Sequence, residues 1–118
     1  MKTDIWLVAE LTITGGKNED FKERMKALIE LVRSKEPDTL LFECYFNEDE
    51  TKCYPFELYR DSGALQVHLK NVTDAFEKIL EVAELTRLEI YGNATEDLKK
   101  DLAPLGAKVF KDWTGFTR

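Results

Sequence analysis

One histidine occurs in the chain, His68, in the stretch "YRDSGALQVHLKN" spanning residues 59–71. An imidazole titrates near pH 6.5, so it can take up and return a proton at neutral pH, which makes His68 the natural general base. Its ordinary alternative is a histidine satisfied at a boundary between helix and sheet. Tyr59, nine positions earlier, offers a phenol that can orient a substrate oxygen or hold a loop. Glu57 is the more unusual residue. On an inward face its pKa would rise unless it were paired, so it serves either as a second base or in a salt bridge to Arg60, Arg87 or a partner chain. Two other motifs carry less. "TGGKNEDF" has glycines before a helix but lacks the GxxxxGK[ST] spacing of a phosphate loop, and it reads as a turn. The acids of "NEDE" belong to an exposed hairpin tip.

Composition narrows the setting. A length of 118 residues with 43% apolar side chains suits a single domain, 1–118, with one core. The net charge of -6, with no run rich in Lys and Arg, argues against nucleic acid as a partner. No export signal is visible, and no apolar run approaches the roughly 20 residues that cross a bilayer. The expectation is a cytoplasmic protein with no membrane partner. In that compartment Cys44 and Cys53, on opposite arms of a hairpin, are expected as free thiols, with a disulfide as the alternative. Two cysteines and one histidine fall short of a structural zinc set, so no metal is expected.

The elements that must position these residues follow from periodicity. Ile5, Leu7, Ala9, Leu11 and Ile13 alternate with Trp6, Val8, Glu10 and Thr12 along a first strand. After Gly15 and Gly16, Asn18 is the expected cap of a helix in which Phe21, Met25, Leu28 and Val32 recur to about Lys35. Pro37 breaks the chain. Leu40, Phe42, Cys44 and Phe46 then alternate, and a return strand from Lys52 to Arg60 completes a hairpin. Asp61 or Ser62 caps the next helix, which bends or restarts between Asn71 and Asp74 and continues through Phe76, Ile79, Leu80 and Ala83. "TRLEIYG", residues 86–92, reads as a fourth strand. Thr95 caps a short helix ended by Pro104, and a last strand or arm follows, so that residues 95–118 add to a completed unit.

The resulting order is the α+β, ferredoxin-like split βαβ arrangement with an antiparallel sheet. Helices on one side leave the other face open, with Trp6, Val8, Leu41, Tyr45, Phe56 and Leu58 on it. Sheet-to-sheet pairing in a homodimer would bury that face.

Four stretches, "ELTITGGKNEDF", "EPDTLLFECYFNEDE", "FELYRDSGALQVHL" and "ELTRLEIYG", resemble the antibiotic biosynthesis monooxygenase family of dimeric α+β barrel proteins, including its quinol monooxygenase-like members. The third is the most specific, with an acid two residues before an aromatic, an acidic cap and a histidine within the helix. The resemblance implies a cofactor-independent monooxygenase acting on a small aromatic, phenolic or quinol molecule. Such a substrate supplies its own electrons to O2, and the protein supplies a base, an oriented hydrogen bond and a dry pocket. On the family pattern Tyr59 faces the helices with Glu57, Pro55 and Cys53. His68, Tyr59 and Glu57 are the catalytic candidates; Ala9, Phe42 and Phe76 are candidates for the pocket wall. Trp113 on the arm would cover a partner's pocket or seal the dimer, and Trp6 would belong to the interface.

The chain departs from some relatives. Haem-degrading members carry a helix histidine and a first-strand asparagine, where this chain offers Lys78 or its neighbours and Ala9. Many quinol monooxygenase-like members have a second histidine shortly after the first, and "HLKNVTDAF" has none. Two other readings of the scaffold therefore stand beside the first: a noncatalytic dimeric module that binds a small ligand, and an isomerase or lyase using the same base.

Overall fold

Alternation along the first strand, β1 (Ile5–Ile13), sends Ile5, Leu7, Ala9, Leu11 and Ile13 into the core and leaves the residues between them half-buried on the opposite face. The structure, a computed structural model, describes residues 2–118. After β1 come α1 (Asn18–Lys35), β2 (Thr39–Phe46), β3 (Lys52–Tyr59), α2 (Ser62–Asn71), α3 (Thr73–Leu80) and β4 (Ala83–Tyr91). A short helix α4 (Glu96–Leu102), a 3-10 turn (Ala103–Leu105) and the strand β5 (Lys108–Phe110) complete the chain. The sheet order is β2-β3-β1-β4-β5, antiparallel except for the parallel β4–β5 pair. This is the α+β, ferredoxin-like architecture that the order of elements predicts.

Helix α1 buries Phe21, Met25, Leu28 and Val32 on one stripe. Each such side chain contributes about 1.5–3 kcal/mol when fully removed from water. The Asp61 carboxylate caps α2 by accepting from the Ala64 N–H at 2.8 Å, and Thr95 caps α4 by accepting from the Leu98 N–H at 3.2 Å. The expected break between Asn71 and Asp74 is real: α2 stops at Asn71, Val72 leaves helical geometry, and α3 begins at Thr73.

Four local expectations are corrected. Asn18 is the first helical residue, not a cap, and its amide donates instead to the Glu50 carbonyl at 2.6 Å, tying the helix start to the hairpin tip. Ala83 does not continue α3; it opens β4, which starts three residues earlier than the periodicity suggests. Leu40 is half exposed because a register shift between Thr39 and Leu41 turns it out of the inward row. Tyr59, rather than Arg60, is the last residue of β3.

The buried side chains form two clusters, one around Leu11, Phe21, Leu28 and Ile79, the other around Ile5, Tyr59, Leu65, Leu88 and Leu98. On the other side of the sheet Tyr45 and Phe56 are exposed and meet edge to face, with ring centroids 5.6 Å apart. Trp6, Val8, Leu41 and Leu58 lie half-buried on the same face. Cys44 and Cys53 are free thiols on the inner side of the hairpin. Among the described residues no helix is long and apolar enough to cross a membrane.

Candidate active site

A cavity of about 560 Å3 lies between the two core clusters. Leu7, Ala9 and Leu11 of β1 form part of its floor, Met25 and Leu28 of α1 one wall, and Phe42, Phe76 and Leu88 line it as well. Ala9, Phe42 and Phe76, the residues singled out as pocket wall, thus all face this space. Within its buried part the polar side chains are Glu57 and His68.

Period-two geometry brings Glu57 and Tyr59 to the inner face of β3, and the Asp61 cap sets the phase of α2 so that His68 comes down over them. The Tyr59 and His68 rings have centroids 5.2 Å apart. The His68 Nδ1 lies 2.9 Å from Glu36 Oε1, and its Nε2 lies 3.5 Å from Glu57 Oε1. The imidazole is therefore held between two carboxylates, with side chains almost wholly out of solvent.

Glu36 is the residue that sequence reasoning misses. It is the C-cap of α1 and is only 4% exposed. Its carboxylate accepts from the Thr39 hydroxyl at 2.7 Å and from the Asn71 amide at 2.7 Å, besides His68. Burial pushes this carboxyl up, yet the hydrogen bonds from His68, Asn71 and Thr39 outweigh burial and leave its pKa below the ordinary value. An ionised carboxylate can only accept, so the His68 Nδ1 carries the proton between them. Nε2 is then the nitrogen turned toward Glu57 and the cavity. A signal for Glu36 exists in the sequence: an acidic side chain at the negative end of a helix dipole is misplaced unless something pairs with it.

Glu57 is set the other way. Burial raises its pKa, and the nearby His68 and the Tyr59 hydroxyl lower it only in part. The expected arginine partners do not reach it. Arg60 turns outward to Asp38 at 3.0 Å, and Arg87 lies 3.6 Å from Glu89 on the outer face. Its contacts are instead the Tyr59 O–H, which donates to Oε1, and the looser approach of His68. Tyr59 is fully buried, and burial together with Glu57 pushes its own pKa well above the usual phenol value. It is not among the residues lining the cavity, so it orients Glu57 rather than touching that space. Two carboxyls on either side of one imidazole are thereby driven to opposite ionisation tendencies, the pattern that separates acid from base in a single site.

A pH prediction follows for stability. A carboxyl whose folded pKa is raised above its unfolded value penalises the folded state when ionised; stability is regained as pH falls through the folded pKa toward the unfolded value near ~4.3. Glu57→Gln keeps the shape and an acceptor for Tyr59 but abolishes that ionisation. The melting temperature of Glu57→Gln should therefore rise relative to the parent as pH increases above about 4.3, levelling off once parent Glu57 is ionised. Parallel melting curves across pH would contradict the raised carboxyl.

Residues 5–82 match the family model described as antibiotic biosynthesis monooxygenase. No curated protein matches the chain. Among solved structures, MupZ from Pseudomonas fluorescens superposes with a TM-score of 0.88 at 25% identity, covering 100% of this chain and 91% of that one. A conserved protein from Methanosarcina mazei Go1 gives 0.66 at 23% identity, over 76% of this chain and 92% of that one. A Caulobacter crescentus CB15 protein, provisionally named an antibiotic biosynthesis monooxygenase, gives 0.67 at 22% identity, over 75% and 86%. At these identities the last two speak to the fold, while the MupZ match also takes in the added C-terminal elements. With residues 5–82, about two thirds of its length, matched by the family model, this chain belongs to the antibiotic biosynthesis monooxygenase family.

Proposed function

We propose that this protein is a monooxygenase that needs no cofactor and acts on a phenolic or quinol substrate in the cavity beside His68. The observation that carries the reading is an imidazole braced by an ionised Glu36, standing with Glu57 at the one polar spot in the buried part of a cavity whose other buried walls are apolar. His68 Nε2 takes the phenolic proton, and Glu36 stabilises the charge that the ring gains. The resulting phenolate passes an electron to O2, and the radical pair recombines as a peroxide on the ring. For a simple phenol, loss of water from that adduct leaves a quinone, so one substrate and one O2 give one quinone and one water. Glu57, inclined to keep its proton, is the acid that protonates the departing oxygen. Tyr59 acts through Glu57 as a positioning residue.

The gap of 3.5 Å between Nε2 and Glu57 is too long for a strong hydrogen bond. A substrate hydroxyl between them would make two shorter ones. The same pair favours a second reading, an isomerase or lyase that moves a proton without oxygen. Purified protein offered a panel of quinols and phenols should consume O2 and form quinone in equal amounts. Turnover that persists unchanged under argon would favour the proton-transfer reading, and no turnover at all with any member would favour a binding module.

The working unit in this proposal is a homodimer joined through the outer sheet face, where Tyr45 and Phe56 stand exposed beside half-buried Trp6 and Leu58. Sedimentation equilibrium at micromolar concentration tests it: twice the chain mass supports the dimer, and a monomer removes it.

A further inference from the structure

The cavity is larger than the chemistry of a lone phenol requires. About 560 Å3 falls in the range of pockets that enclose drug-sized ligands. Its buried polar groups, Glu57 and His68, are also gathered at one end, while Gln66, Lys100 and Asp101 stand at the more exposed rim toward α4. From Glu57 on β3 the space crosses beneath α2 past Ala9 on β1 to Leu88 on β4, two interstrand spacings or about 10 Å. It continues to Pro104 and Leu105 in the 3-10 turn after α4, where exposed side chains form its rim. That turn lies outside residues 5–82, so the added C-terminal elements build this end of the cavity.

We infer that the ligand is a phenol or quinol carrying a long aliphatic substituent. This rests on the functional reading above and extends it. The head lies between His68 and Glu57; the tail runs between the two core clusters and leaves toward Leu105. The buried walls along that path, among them Leu7, Leu11, Leu28 and Leu88, offer no hydrogen-bonding side chain. A polar substituent there would lose its water without replacement, whereas each methylene gains by leaving water. Met25 adds an unbranched, adaptable side chain that suits a flexible occupant.

The experiment is calorimetric titration of the purified protein with phenol and 4-alkylphenols up to 4-heptylphenol, beside 1-alkanols of matching chain length. Dissociation constants should fall about fourfold for each added methylene across the alkylphenol series. Each alkylphenol should bind more tightly than the alkanol of equal chain. Leu105→Trp, at a half-exposed rim position where folding is not at stake, should flatten the gain for the longest members. Affinity that stops improving at ethyl, with phenols still preferred, would overturn the tail and leave the phenolic site standing. Equal chain-length gains in both series with no phenolic advantage would overturn the phenolic head instead, and with it the functional reading.

Discussion

His68→Ala should lower oxygen-dependent turnover by about 10²- to 10⁴-fold, the usual contribution of a positioned general base. Its polar neighbours are less well set for that role. Glu57 is held toward its protonated form, and Tyr59 is a fully buried phenol already donating to Glu57. The substitution also strips Glu36 of one of its donors and opens a hole between α2 and β3, so some stability will be lost. His68→Asn fills more of that space and should show the same kinetic defect with a smaller melting shift. Retained near-ultraviolet circular dichroism in either variant, with turnover near the parent level, would remove His68 from the chemistry.

Glu36→Ala should be the most destabilising single change in the site, costing on the order of 3 kcal/mol. The carboxylate satisfies three donors, from His68, Thr39 and Asn71, and removing it leaves the buried His68 N–H without a partner and the half-buried Thr39 and Asn71 groups without their acceptor. Glu36→Gln should cost less, about 1–2 kcal/mol, because its amide oxygen still accepts while its NH2 group opposes the Asn71 amide. The acid side of the stability profile belongs to the same group. A carboxyl with a lowered folded pKa contributes fully above its unfolded value near ~4.3 and loses that contribution as pH falls through the folded value. Denaturant titrations at pH 7 and in the acid range check both statements: a Glu36→Ala midpoint like the parent's at pH 7 would mean the cluster is idle in stability.

Most of the frame was readable because it rests on local periodicity. The alternation from Ile5 to Ile13, the helical row Phe21, Met25, Leu28 and Val32, and the interruption near Val72 each follow from a few neighbouring residues. The inward placement of Glu57 and Tyr59 follows from the same period of two. What stayed hidden depends on distant partners. Glu36 and His68 are 32 positions apart, and nothing local says that the end of α1 meets the middle of α2. Asn18 looked like a cap because its type favours one, yet a carbonyl 32 residues away holds its side chain. The arginines considered as partners for Glu57 belong to the opposite face, which the strand period already implied for Arg60 and the strand pairing decides for Arg87.

Since the chain has one histidine, its ring nitrogens can be read without ambiguity. Long-range 1H–15N correlation spectra of the labelled protein at neutral pH test the site most directly. The arrangement around Glu36 predicts a proton on Nδ1, with that signal altered in Glu36→Gln. A bare Nδ1 with the proton held on Nε2 alone would contradict the account, because the nitrogen facing the cavity would then have no lone pair with which to act as a base.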